Sequence, residues 1–268
     1  MTAKLIIPLI GTGNVPQLSI DLLLHSTNSF NYVKRIDSKF VYPFSGPLDH
    51  AAGEDPKLYN GKTLFSSAIE LFKQKDEQIY VIQQRTPIIP GYLNNFIVET
   101  LIPVLHEYQI TELIVLDSFG ALDGVVESLN GSGSFFNVGT CNLSSVNDLI
   151  QQFDDHLNLR NNGQVNRVKA FNFDDKGIQQ DITTEQDIFK VVYHLTNTSN
   201  LQLNKIKYYS TFVHEGDNSE DAYTFYNNLM LAQPEVFPRI DEFHPPVSWK
   251  GVYGFTPIRS AYDEGLYT

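Results

Sequence analysis

Short apolar runs rich in branched side chains mark the strands along the chain. They cover Leu5–Ile10, Ile79–Ile82, Leu113–Leu116 and Ile206–Val213, and a further run lies in the stretch RVKAF at Arg167–Phe171. Each run is shorter than an ordinary helix, and continuous apolarity of this kind is typical of strands buried on both faces of a sheet. These five stretches are therefore predicted to be β-strands.

Helical periodicity fills the intervals between the strands. Apolar residues recur every fourth position over Leu93–Leu105, which predicts a helix, and Pro103 should kink it because an interior proline costs about 3 kcal/mol. A second helix is predicted over Lys62–Gln74. A third should begin after Thr184 as its N-cap, and a fourth should lie within Glu215–Leu231.

The alternation of strands and helices predicts an α/β protein whose mostly parallel sheet is covered by helices on both faces. We expect residues 1–244 to form a single domain of this kind. Within it, residues 120–142 hold five glycines and are predicted to be a loop-rich excursion. Residues 245–268 mix proline, glycine and aromatic side chains, which suits neither a helix nor a central strand. They are predicted to form an extended C-terminal tail.

Charge narrows the class of partner. The chain of 268 residues has a net charge of −12, and such an acidic surface repels phosphate backbones and anionic lipids. Nucleic acid and membrane partners are therefore not expected. No apolar stretch approaches the roughly 20 residues that cross a bilayer. The single cysteine, Cys141, cannot form an internal disulfide, which fits a reducing, intracellular location for a soluble protein.

A possible nucleotide site needs separate treatment. Gly11 and Gly13 follow the first strand and precede a predicted helix, which resembles the opening of a dinucleotide-binding fold. Pro16 stands where a third glycine would be required, and this favours a plain strand-to-helix turn. Asp117 ends a strand, where ligands of α/β proteins bind, but one carboxylate makes no mechanism. A nucleoside- or nucleotide-binding enzyme using Gly11–Gly13 and Asp117 is the alternative function.

Other candidate chemistry is sparse. None of the seven histidines pairs with another at metal-ligand spacing, so neither a metal site nor a cofactor is predicted. Arg85, in the stretch QQRTP, is either an anion ligand or half of a surface ion pair.

Six stretches, in order along the chain, resemble the fungal form of the proteasome assembly chaperone 2 family. They are GNVPQLSIDLLL (13–24), YVKRIDSKFVYPFSGPLD (32–49), IQQRTPI with GYLNNFIVE (82–99), EGDNSEDA (215–222), PVSWKGVYG (246–254) and the closing GLYT. The resemblance implies a nucleoside-phosphorylase-like sandwich without catalytic residues, hence a non-enzymatic scaffold in the cytoplasm, with the nucleus as a second location. It also implies a heterodimer with a second assembly chaperone. That heterodimer would bind the outer face of the proteasome α-subunit ring, support ring assembly and block premature binding of regulators.

The resemblance also assigns a binding site to the closing residues. In this family a C-terminal hydrophobic–tyrosine–X motif enters pockets between adjacent α subunits, and the matching positions are Leu266, Tyr267 and Thr268. Burial of Leu266 would contribute about 1.5–3 kcal/mol. Tyr267 would add a large ring with a hydroxyl, and Thr268 its free carboxylate.

Overall fold

The computed structural model describes residues 2–120, 136–143, 146–158, 167–173, 182–214, 216–250 and 252–253. Its strands are β1 (Lys4–Pro8), β2 (Phe30–Arg35), β3 (Ser45–Gly46), β4 (Ser66–Ser67), β5 (Ile69–Gln74), β6 (Ile79–Gln84), β7 (Glu112–Phe119), β8 (Phe136–Asn142), β9 (Arg167–Val168), β10 (Asn172–Phe173), β11 (Ile182–Thr183) and β12 (Lys205–Phe212). Its helices are α1 (Val15–Ser26), α2 (Leu93–Phe96), α3 (Ile102–Glu107), α4 (Val146–Asn158), α5 (Asp187–Thr196) and α6 (Ser219–Ala232).

Eight of these strands form one sheet in the order β10-β8-β12-β7-β1-β6-β5-β2. The four central strands, β12, β7, β1 and β6, are parallel to their neighbours in this group. At each edge the pairing turns antiparallel, so that β5 and β8 run opposite to the other six strands. The predicted α/β fold with a mostly parallel sheet is confirmed, and its edges are mixed.

Helices cover both faces of the sheet. Successive residues of a strand point to opposite faces, and accordingly Leu5 and Ile7 join one hydrophobic core while Ile6 joins the other. α1 and α6 pack together on the face of Ile6, and the remaining four helices contribute to the core on the opposite face. Within the residues that the structure describes, no helix combines the length and the apolarity needed to cross a bilayer.

Two predictions in the first half need correction. The helix predicted over Lys62–Gln74 is wrong, because this stretch holds β4 and β5. Ile69, Leu71 and Phe72 of β5 are buried on two faces of the sheet, so their apolar pattern has no period of two and imitates a helix. The kink at Pro103 is instead a widened π turn over Ile97–Leu101, which lies between α2 and α3 and precedes the proline.

Three predictions in the second half also need correction. Residues 136–142, assigned to the loop-rich excursion, form β8, whereas residues 121–135 lie outside the described part. The strand predicted at Arg167–Phe171 is reduced to the two residues of β9. Thr184 does not cap α5, because that helix begins at Asp187 after Gln186. The helix predicted within Glu215–Leu231 is confirmed as α6.

The turn between β1 and α1 is shaped by contacts inside the protein. A side-chain Cβ at Gly11 would clash with the backbone carbonyl oxygen of Ser118, so the backbone there would have to shift. Gly13 has a φ of +70°, and a Cβ there would clash with Oδ1 of Asn218. Pro16 sits in the first turn of α1, where its missing N–H is not needed. Packing against Ser118 and Asn218 is therefore sufficient to explain both glycines.

We predict that Gly11→Ala lowers the free energy of unfolding by about 3 kcal/mol or more, because the added methyl group would force β7 away from the turn. The matched control is Gly61→Ala. Gly61 has nothing within 4 Å of its Cβ position and a φ of +68°, so its only penalty is left-handed backbone strain of about 1 kcal/mol. Urea unfolding of both variants measures the difference, and equal losses would contradict this account of Gly11.

Candidate functional site at the root of the C-terminal segment

The predicted site residues Leu266, Tyr267 and Thr268 lie outside the described residues, as do all of residues 254–268. Residues 246–250 and 252–253, which precede them in the chain, are described, and this C-terminal segment is attached to the body. Pro246 forms a bridge with Ala51, and the amide of Val247 donates to the carbonyl oxygen of His50 at 2.9 Å. The division between domain and tail at residue 244 stays a prediction.

Trp249 is the main anchor of this segment. Its ring is 1% exposed and lies against Tyr223 and Tyr253, with centroid distances of 6.1 and 5.8 Å. Its indole Nε1 donates a hydrogen bond of 3.0 Å to Oδ2 of Asp21. Asp21 belongs to α1, whose residues from Val15 to His25 are all buried. The anchor thus reaches into the interior, where a buried indole N–H needs such a partner.

A second anchor joins the same segment to Asp49. The hydroxyl of Ser248 donates to Oδ2 of Asp49 at 2.6 Å, and its amide donates to Oδ1 at 3.2 Å. Asp49 also faces Arg85, whose guanidinium lies 3.5 Å from both Asp49 and Glu70. Arg85 is therefore an internal ion-pair partner, and its interpretation as an anion ligand or surface pair is wrong.

Burial perturbs the acids of this network. Burial raises the pKa of Asp21 to about 6, although Arg85 opposes the shift. Burial likewise raises the pKa of Glu70 against the influence of Arg85. For Arg85 burial alone would lower the pKa, but the surrounding carboxylates outweigh it and the pKa is raised. The guanidinium is thus the fixed positive charge around which Asp21, Asp49 and Glu70 are arranged.

Sequence reasoning missed this network. Its signal was the placement of single acids in apolar elements: Asp21 within the apolar helix α1, and Glu70, which is 0% exposed, within β5. A charged residue at such a position is rarely buried without a partner. The sequence could not show that Trp249 is a hydrogen-bond partner of Asp21, because the two residues are 228 positions apart.

The strand end at Asp117 lines a cavity of about 380 Å³ together with the Gly11–Thr12 turn. Three carboxylates, those of Asp117, Glu185 and Asp187, face this cavity, and no lysine or arginine is among its described lining residues. Oδ2 of Asp117 already accepts a hydrogen bond of 2.7 Å from the hydroxyl of Tyr208. Because a phosphate would meet repulsion here, the geometry disfavours the nucleotide alternative.

A second cavity, of about 260 Å³, lies between the ends of the central strands and the helices α2 and α5. Its lining is mainly branched aliphatic. Of its uncharged polar residues, Gln84 donates to the Thr86 carbonyl oxygen at 2.9 Å and Thr100 donates to the Ser38 hydroxyl at 3.0 Å. Its charged lining residues, Asp187 and Lys190, form an ion pair of 3.4 Å with each other. Among the described lining residues there is no serine, cysteine or histidine, and the polar groups named are already engaged within the protein.

The fold defines an α/β protein with a mostly parallel sheet covered by helices on both faces. The sequence model of the PAC2 family matches residues 5–219, and the chain belongs to the PAC2 family. This confirms the resemblance carried by the six stretches.

Individual relatives agree with the family. The chain is 35% identical over 266 residues to "Proteasome assembly chaperone 2" of Saccharomyces cerevisiae, covering 96% of this chain and 97% of that protein. It is 23% identical to the protein of the same name from Danio rerio, over 93% and 91% of the two chains. A crystal structure of a Thermoplasma acidophilum protein of unknown function matches with a TM-score of 0.50 at 9% identity, covering 89% of this chain and 79% of that one. That last likeness concerns the fold alone.

We predict that Arg85→Met lowers the free energy of unfolding by about 3–5 kcal/mol at neutral pH, because Asp49 and Glu70 would keep buried charges without a counter-ion. Arg239→Met is the matched control. It removes an ion pair with Asp241 in which both side chains are more than four-fifths exposed, and its effect should stay within about 0.5 kcal/mol. Urea denaturation measures both, and an Arg85 variant as stable as the control would show that the network is not stabilising.

Proposed function

We propose that this chain is a non-enzymatic chaperone for assembly of the proteasome core particle. The observation that carries the proposal is the 35% identity, over nearly the whole of both chains, to a yeast protein named as a proteasome assembly chaperone. In the proposed mechanism the chain pairs with a second assembly chaperone and binds the outer face of the α-subunit ring. Bound there, it promotes ring assembly and blocks premature binding of regulators, in the cytoplasm or the nucleus.

The closing residues Leu266, Tyr267 and Thr268 supply the proposed contact with a pocket between α subunits. Their chemistry suits such a pocket, since they offer an aliphatic group, a ring with a hydroxyl and a free carboxylate. The attachment at Trp249 supports the proposal because it holds the residues that precede the proposed tail against the body. From Tyr253 to Thr268 the chain can reach at most about 50 Å when extended. The body must therefore come within that distance of the pocket.

Three residues are too few to bind tightly by themselves, since association costs translational and rotational freedom. In the proposed complex the body of this chain and the partner chaperone supply further contacts. When one of these linked elements is bound, the effective concentration of the others at their own sites is raised. The affinity of the complex for the ring then increases without any new contact at the tail. The tail then sets the position of the chaperone on the ring, and the body supplies the remainder of the affinity.

The alternative, a nucleoside- or nucleotide-binding enzyme, has little support. The turn at Gly11–Gly13 is accounted for by packing, and the cavity beside Asp117 is lined by carboxylates. If a nucleoside and phosphate panel raised the melting temperature, the alternative would regain support, because a ligand of the folded state stabilises it.

We predict that Tyr267→Ala weakens recovery of proteasome α subunits about tenfold or more, because the variant loses burial of a large ring in the pocket. Tyr262→Ala is the matched control, since it makes the same change five residues earlier in the tail. The bait is N-terminally tagged full-length protein in source-cell extract, and bound proteins are quantified by mass spectrometry.

The two variants separate the parts of the proposal. If both recover α subunits as well as the unaltered chain does, docking is carried by the body and the tail mechanism is wrong. If the unaltered chain recovers neither α subunits nor a companion chaperone, the proposed function itself fails.

A further inference from the structure

Three buried side chains at the root of the C-terminal segment bring ligand atoms together. Asp21 and His25 are four residues apart on α1 and thus share one face of that helix, and Asp49 comes from the segment after β3. One ligand atom from each lies within 4.8 Å of the others. Asp21 and His25 are 6% exposed and Asp49 is 4% exposed.

His25 supplies a second and independent observation. Its ring atom Nε2 is buried and has no hydrogen-bond partner. Leaving such an atom without a partner costs about 1–3 kcal/mol, so unpartnered polar atoms in an interior need an explanation. A neutral imidazole nitrogen beside two carboxylates is a set of ligands that a divalent metal ion would satisfy.

The charge balance of the network also favours a bound cation. Asp21, Asp49 and Glu70 are three acids around the single guanidinium of Arg85, which leaves two negative charges without a counter-ion when all are ionised. A buried charge without a counter-ion is costly. A divalent cation bound by Asp21, His25 and Asp49 would balance the network and leave the Arg85–Glu70 contact intact.

The carboxylates are also oriented by hydrogen bonds, and the site adjoins a cavity. Gln83 and Trp249 donate to the two oxygens of Asp21, and Ser248 donates to Asp49. Such donors fix the direction of metal-binding carboxylates. His25 and Asp49 line a cavity of about 360 Å³. Its wall also carries Glu54, Asp55, Lys57 and Lys75, so an ion has a polar route from the surface.

We propose that Asp21, His25 and Asp49 form a binding site for a divalent transition-metal ion, with Zn²⁺ as the first candidate. Tetrahedral bonds of about 2.0–2.2 Å place ligand atoms roughly 3.3–3.6 Å apart, so a pair of ligand atoms separated by 4.8 Å would have to approach by about 1 Å when the ion binds. The ion would tie α1 to the segment after β3 that carries Asp49, the hydrogen-bond partner of Ser248. This inference does not rest on the proposed chaperone function.

The fluorescence of Trp249 allows metal binding to be measured at the proposed site itself. It is the single tryptophan of the chain and its indole donates to Asp21, so its fluorescence reports on that carboxylate. Purified full-length protein is treated with EDTA, desalted and titrated with Zn²⁺, and then with Co²⁺, which quenches a nearby indole. We expect a saturable change with one ion per chain, and a rise in melting temperature of about 5 °C at roughly a hundredfold excess over Kd.

His25→Phe removes the nitrogen but keeps a ring in the space, and His25→Gln keeps a polar group if the first variant folds poorly. His106→Gln is the matched control because it removes an exposed histidine from α3. The control should respond as the unaltered chain does, whereas both His25 variants should lose the fluorescence change and the thermal shift. An unaltered chain with no response to either ion, or a response that survives in the His25 variants, would overturn the proposal.

Discussion

β5 and the four central strands of the sheet carry buried side chains on both faces, and this constraint governs the charged groups buried among them. A charge in such a place has no water to solvate it, so it must find its partners within the protein. Glu70, fully buried in β5, meets Arg85 at the end of β6, and Arg85 in turn meets Asp49. The interior polar network is thus a consequence of packing helices on both sides of a largely parallel sheet.

The same network fixes the C-terminal segment. Asp49 accepts a hydrogen bond from Ser248 and Asp21 accepts one from Trp249, so two acids of the interior hold these residues against the body. Buried ionic groups contribute little net stability. They do destabilise any conformation in which one buried charge loses its partner. The position of Ser248 and Trp249 is therefore specified by charged groups of the interior.

The hydrophobic pattern of the sequence correctly predicted several elements whose burial follows a simple rule along their length. β1, β6, β7 and β12 were predicted as strands from runs whose residues are largely buried on both faces, and α6 was predicted within Glu215–Leu231. The same uniformity caused the error at Lys62–Gln74, since two buried faces erase the period that separates strand from helix. The network could not be predicted, because its members lie far apart in sequence and meet only through the topology of the sheet.

The glycine turn after β1 shows that the same backbone shape can arise from two different physical requirements. A Gly-x-Gly sequence between a strand and a helix suits a pyrophosphate, but it equally suits a backbone that must approach another backbone. Here Ser118 occupies the space beside Gly11, and acids line the neighbouring cavity, so packing alone imposes the residues that a nucleotide would otherwise demand. A fold of this class therefore does not carry an activity with it. Function must be argued from what the surrounding side chains can bind, and around this turn they repel phosphate.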